Sequence, residues 1–237
     1  MSNHPSRRVS LKGIIVAIDG PSGAGKSTVA SLLAEELDGI LLNTGAMYRA
    51  VAYYALLREK KTAKDLGELA RELTFDVGKN DQLLVDKEDL GSKLRTEGVS
   101  KMASDISKYQ SVRRVLTQRQ REFGRRLSAK RPVVMEGRDI GTYVFPKAPF
   151  KFFVTADSKV RAKRRLDQLK RQGMKGLSLK EVEHLNEDRD RQDSSRKHAP
   201  LKCADDAIVV DTSSMKIEQV VQFMADHVIG RSTLKSK

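Results

Sequence analysis

Residues 13–27 read GIIVAIDGPSGAGKS, and the order of residue types in this stretch decides the fold. Gly13 to Asp19 is a largely β-branched apolar run without alternation, the pattern of a strand buried on both faces. Gly20 to Ser27, GPSGAGKS, completes G-x-x-x-x-G-K-[ST] directly after that strand and ahead of a helical pattern starting near Lys26, which is the context the motif requires. A random chain of this length would carry the pattern on the order of 1% of the time. The spacing has a chemical reason: glycines let the backbone turn so that N–H groups point inward at phosphate oxygens, and the next helix presents its positive end to them. Lys26 adds a mobile charge able to follow β- and γ-phosphates, and the Ser27 hydroxyl is placed for Mg²⁺. Gly20, Pro21, Ser22, Gly23, Ala24, Gly25, Lys26 and Ser27, with Thr28 next, are therefore the expected ATP-binding residues. The loop alone fits a GTPase, an ATPase or a small-molecule kinase equally well.

Working outward, similar apolar runs occur at Ile40 to Leu42, Val133 to Met135, Phe150 to Val154 and Ala207 to Val210, each separated from the next by a helical pattern. Such alternation predicts a parallel sheet covered by helices. Ser178 with Glu181 three residues on is a capping box opening a helix to about Ser195, and Ser213 or Ser214 is expected to cap the last helix. LTFDV and QLLVD predict two short strands around the turn-prone residues 78–81, GKND, as an insertion over about 66–99. A second excursion, about 157–196, consists of two charged helical segments joined through Gly173 and Gly176, the pattern of a mobile lid. The core then comprises about 13–65, 100–156 and 197–230.

The 237 residues suit one α/β domain with insertions. With 39% hydrophobic and 32% charged residues the chain is not wholly disordered, and no apolar run approaches the roughly 18 residues of a membrane span. Met1 to Arg8 lacks the apolar core of a secretory signal, so residues 1–10 are expected to form a disordered tail. Cys203 is the only cysteine, which excludes an intramolecular disulfide and a thiolate metal cluster and fits a cytoplasmic setting. The net charge of +14 attracts polyanions, whether nucleotides, RNA or acidic membranes. Nucleic-acid binding would call for aromatics interleaved with the basic runs at 113–131 and 159–171, but the chain has five Tyr, seven Phe and no Trp, none so arranged. Membrane-surface binding would need a bulky apolar face beside the charge, which is lacking. A GTPase needs an N-K-x-D base-reading loop; the nearest string, GKND, has the wrong order.

Three further stretches narrow the reading: NTGAMYR at 43–49, EGRDIGT at 136–142, and RDRQDSSRKHAPL at 189–201, with RAKRR at 161–165. Together they resemble the bacterial cytidylate kinase family, in order from about Ile14 to Val228. The resemblance implies an α/β, P-loop NTPase-type parallel sheet flanked by helices, with a small inserted nucleotide-monophosphate-binding domain and a helical lid. It also implies transfer of the γ-phosphoryl group of ATP onto CMP or dCMP with Mg²⁺. Asp193 would then contact the acceptor ribose, Arg196 the acceptor phosphate, and Arg189 the transferred group, while Ser104, Arg113 and Asp139 would read cytosine and Thr44 would join the acceptor site. Lys147 stands where the family usually has an acidic residue, and Leu83 to Lys93 departs from its usual wording, which bears only on the insertion.

Some of these residues can be read without the resemblance. Arg138 and Asp139 follow a predicted strand at the carboxyl end of the sheet, where the ligand crevice of an open α/β fold lies. Arg138 and Arg49 suit a phosphate held by forked hydrogen bonds, a geometry lysine cannot reproduce. Arg189, Asp193 and Arg196, at i, i+4 and i+7, share a helix face, which on spacing alone would be a salt-bridged surface. Ser104 and Arg113 lie nine residues apart in one long helical segment, and their spacing does not mark them as ligands. Lys26, Arg138, Arg189 and Arg196 are the expected catalytic groups, with Arg161, Arg164 and Arg165 closing over the γ-phosphate. The four histidines have no expected role. The expected partners are small-molecule nucleotides bound by a monomer, with no membrane and with nucleic acid disfavoured; a UMP or AMP kinase is the alternative acceptor choice, and a basic P-loop nucleic-acid-binding protein the alternative of a different class.

Overall fold

The run that opens the chain's pattern becomes strand β1 (Ile15–Asp19), buried at every position. The structure is a computed structural model and describes residues 11–78, 82–174 and 176–235. The expected tail and most of the GKND turn lie outside these residues. β1 is the middle strand of a five-stranded sheet with β2 (Ile40–Asn43), β5 (Val133–Glu136), β6 (Phe150–Thr155) and β7 (Ile208–Asp211), in the order β2-β5-β1-β6-β7. All of its pairings are parallel. Together with the phosphate loop and the helices on both faces, this is the α/β fold of P-loop NTPases.

Side chains alternate across the strand, so one face of β1 and the other feed different cores. Ile15 and Ala17 join Met47 and Val51 of α2 (Thr44–Leu57), Leu66 and Leu69 of α3 (Ala63–Glu72), and Leu116 and Phe123 of α5 (Gln110–Ser128). Val16 and Ile18 join Val29 and Leu33 of α1 (Lys26–Glu36), Phe152, and Val220 and Met224 of α8 (Ile217–Lys235). Each fully buried Leu or Phe here contributes about 1.5–3 kcal/mol from water exclusion. The predicted short strands form an antiparallel hairpin, β3 (Phe75–Val77) and β4 (Leu83–Val85). Its Val85, with Leu90 and Leu94, belongs to the same apolar cluster as Met47 and Leu69, so the hairpin is stitched to α2 and α3. The charged helices α6 (Ser158–Arg171) and α7 (Leu179–Ser194) share a much smaller cluster of Ala162, Leu169 and Val182.

Three local readings differ from the structure. The helical segment holding Ser104 and Arg113 is two helices, α4 (Glu97–Ile106) and α5, because Ser107 Oγ turns back onto the Ser104 carbonyl at 2.7 Å and Tyr109 N–H bonds to Ile106, tightening the chain into a turn. Arg196 lies past the end of α7, so only Arg189 and Asp193 share its face. The last helix starts at Ile217, where the Gln219 side chain accepts the Lys216 N–H at 3.0 Å; Ser213 is occupied by Asp211 and Asp157 instead. The Ser178–Glu181 capping box forms in full.

Candidate active site

Strand register sets the site. Asn43 and Ile18 both lie opposite Glu136, so β2, β5 and β1 end level and deliver three loops to one edge of the sheet. The first is the phosphate loop. Gly20 (φ 146°) passes so near β6 that a Cβ would stand 2.0 Å from the Val154 carbonyl oxygen, and only glycine allows the approach. No side chain caps α1, whose N-cap is Gly25, so its positive end is open toward the loop. Lys26 is buried and its ammonium donates to the Pro21 carbonyl at 2.6 Å. Burial, reinforced by Arg138, pushes its pKa well below that of an ordinary lysine, with Glu136 acting in the opposite sense.

The second and third loops meet at Glu136. Its carboxylate accepts from Ser27 Oγ at 2.9 Å, and its carbonyl from Thr44 Oγ1 at 2.8 Å. Arg138 then crosses between the phosphate loop and α7: Nη1 donates to the Gly20 carbonyl at 3.0 Å and Nε to Asp193 Oδ2 at 2.8 Å. Burial opposes both charges of that pair, yet mutual attraction wins, holding the Arg138 pKa above and the Asp193 pKa below their usual values. Arg196 lies 3.4 Å from the other Asp193 oxygen. Arg113 donates to Asp139 at 2.6 Å and lies over the Tyr48 ring. Burial raises the Asp139 carboxyl despite Arg113 and Arg196. Beyond Asp139 the chain makes one wide helical turn, Ile140–Val144, whose first N–H groups bond to Asp19 at 2.8 and 2.7 Å.

The loops and helices enclose a cleft of about 690 Å³. Three arginines that line it, Arg49, Arg113 and Arg189, each carry a buried Nε without a hydrogen-bond partner, and the buried Nη2 of Arg196 has only its 3.4 Å ion pair with Asp193. Burial together with Arg138 brings Arg189 down to about 10. A buried unpaired N–H costs about 1–3 kcal/mol, so a cleft holding several is shaped for an anion that supplies the missing acceptors.

A family model described as cytidylate kinase matches residues 16–229. The chain is 45% identical over 228 residues to a cytidylate kinase from Citrifermentans bemidjiense, covering 94% of this chain and 96% of that one. It is 43% identical to a cytidylate kinase from a Geobacter species, covering 91% and 93%. The chain belongs to the cytidylate kinase family. A solved structure of an uncharacterized protein from Eubacterium ventriosum has a TM-score of 0.50 at 14% identity, covering 91% of this chain and 98% of that one, a likeness of fold alone.

In this cytidylate kinase family member, the residues expected from sequence gather around one cleft. Ser22 to Thr28, Thr44, Arg49, Ser104, Arg113, Arg138, Asp139, Arg164, Arg165, Arg189, Asp193 and Arg196 all line it. Gly20 and Pro21 stand behind it, their carbonyls holding Arg138 and Lys26. Arg164 is fixed by Thr212, at 2.8 Å to Oγ1 and 2.7 Å to the carbonyl, whereas Arg161 lies off the cleft and binds Ser22. Sequence reasoning passed over Glu136, Tyr48 and Arg95, which also line the cleft. Glu136 had a usable signal, since a carboxylate closing a buried strand beside the phosphate-loop strand has no apolar reason to be there; Arg95, at the end of a short 3₁₀ turn, had none. Among the described residues no cluster of three or more His, Cys, Asp or Glu could hold a metal alone. Ser27 Oγ and the Glu136 carboxylate are hard oxygen donors of the kind Mg²⁺ takes one or two at a time beside nucleotide phosphates, and they fit it.

Proposed function

We propose that the protein transfers the γ-phosphoryl group of ATP directly to the phosphate of CMP and dCMP, acting as a monomer in the cytoplasm. The carrying observation is that the arginines lining the same cleft as the phosphate loop carry buried guanidinium nitrogens short of hydrogen-bond acceptors. The loop takes the donor phosphates, with Lys26 leaving the Pro21 carbonyl for them, and their negative charge favours its charged form where burial and Arg138 oppose it. Arg49, Arg138 and Arg196 hold the acceptor phosphate, and Arg189, Arg164 and Arg165 neutralise the group in transit. The acceptor oxygen is already anionic near neutral pH, so no general base is required and positioning supplies the catalysis. Ser27 and Glu136 would hold Mg²⁺, which neutralises donor phosphate charge when bound. Asp193 would read the ribose, and Asp139 and Arg113 pair as acceptor and donor for the cytosine amino and N3 edge, with Ser104 alongside. One chain supplies every one of these groups, which supports a monomeric enzyme.

The test is ADP release from ATP and Mg²⁺ by purified protein with CMP, dCMP, UMP, AMP or GMP. Strong turnover with CMP and dCMP is expected; turnover with none, or a preference for a purine, would overturn the reading.

A further inference from the structure

Both main-chain polar groups of Ser22, in the middle of the phosphate loop, are taken by one side-chain pair from the helices beyond the cleft. Asp190 Oδ1 of α7 accepts the Ser22 N–H at 2.7 Å, and Arg161 Nη1 of α6 donates to the Ser22 carbonyl at 3.0 Å. Asp190 and Arg161 also bond to each other, and Arg161 Nε is anchored on the Ala156 carbonyl at 3.1 Å. Both side chains are largely buried, yet neither lines the cleft. The contact has no slack: a Cβ on Gly23 would stand 2.7 Å from the Arg161 carbonyl oxygen, so loop and α6 touch through their backbones.

The position of Asp190 on α7 matters as much as its bonds. Arg189 precedes it and Asp193 follows one turn later, bonded to Arg138. Gln192 in the same turn donates to the Ser104 carbonyl at 2.9 Å. One turn of helix thus touches the donor loop, the acceptor-phosphate arginine and the base-side helix. A change in the loop that shifts Ser22 must carry this turn with it or break a charged, buried clamp.

We propose that the Arg161–Asp190 pair positions the acceptor-reading turn of α7 on the donor loop and so couples the two nucleotide sites, each substrate binding more tightly when the other is present. This rests on the kinase reading above. Coupling of this kind is reciprocal, with factors of about 5–150.

The experiment is calorimetric titration of the full-length protein with CMP, in the absence and presence of a saturating non-hydrolysable ATP analogue, and the reverse titration, alongside steady-state kinetics. In the wild type, each nucleotide is expected to tighten the other by the same factor, about fivefold or more. Asp190→Ala should bring that factor close to one and lower kcat more than it raises either KM. Asp190→Asn keeps an oxygen for the Ser22 N–H but loses the charge facing Arg161, and should give an intermediate factor; it also carries the comparison if the alanine variant fails to fold. Wild-type coupling of one, or wild-type coupling retained in a folded Asp190 variant, would overturn the proposal. Turnover of CMP by the wild type in the same preparation separates the two ideas, since its absence would sink the kinase reading itself.

Discussion

At the scale of single residues, the site is built from charges that would be unfavourable alone and become favourable in company. Lys26 is the clearest case: buried, depressed in pKa and held by a backbone carbonyl, from which the proposed phosphates would draw it. Lys26→Ala should lower kcat by about 10²–10³, the usual consequence of removing one charge-stabilising group, while calorimetry should show CMP binding little changed. Equal loss of both would mean that the loop scaffolds the whole cleft. Asp19 makes the opposite argument about protons. Burial dominates its two backbone hydrogen bonds and raises its pKa from the ordinary carboxylate value of 3.8 to about 6. The folded state therefore holds this proton more tightly than the unfolded chain, so stability from Asp19 is fully present below the unfolded value and is lost as pH rises through about 6. Asp19→Asn should accordingly cost more stability in denaturant melts at pH 4 than at pH 7; the reverse slope would show that the Ile140 and Gly141 N–H groups outweigh burial. Residues whose chemistry is local, such as the phosphate-loop glycines and Lys26, could be read in the chain directly. Tyr48 and the Arg161–Asp190 clamp could not, because their partners lie many residues away and only the tertiary packing brings them together.

At the scale of elements, legibility followed burial and punctuation. The core strands declared themselves because they are covered on both faces and so are continuously apolar, as in Ile15–Asp19 and Val133–Glu136. The break between α4 and α5 was hidden because no Gly or Pro marks it; a serine hydroxyl bonding back to a carbonyl does the work, and a single serine in a helical pattern gives no warning. The start of α8 was misplaced for a related reason: Ser213 has the right chemistry for a cap but is spent on Asp211 and Asp157. Where the cap has its own reciprocal partner, as at Ser178 and Glu181, the reading held. Ser178→Ala should destabilise the first turn of α7 by about 1 kcal/mol. Hydrogen exchange should show this as faster exchange confined to that turn and its neighbours, because the small α6–α7 cluster ties the pair only lightly together; protection lost equally across the sheet would contradict that separation.

For the molecule as a whole, the net charge of +14 has a local meaning at the cleft, where Lys26 and the arginines outnumber Glu136, Asp139, Asp167 and Asp193. A field of this sign draws multiply charged nucleotides toward the loop edge, and salt screens it, the Debye length falling from about 10 Å at 0.1 M to about 3 Å at 1 M. Thus kcat/KM for CMP should fall as ionic strength rises while kcat stays nearly constant. A fall in kcat alone would place the charge's role in the transfer step instead of in capture. In the proposed reaction donor and acceptor lie together in this one cleft, so that the phosphoryl group passes between them without ever being attached to the protein. Offering ATP with a chiral, isotopically labelled γ-phosphoryl group and determining the configuration of the β-phosphoryl in the CDP formed distinguishes this from a two-step route. Direct transfer predicts inversion at phosphorus; retention would reveal an enzyme-bound intermediate and rule direct transfer out.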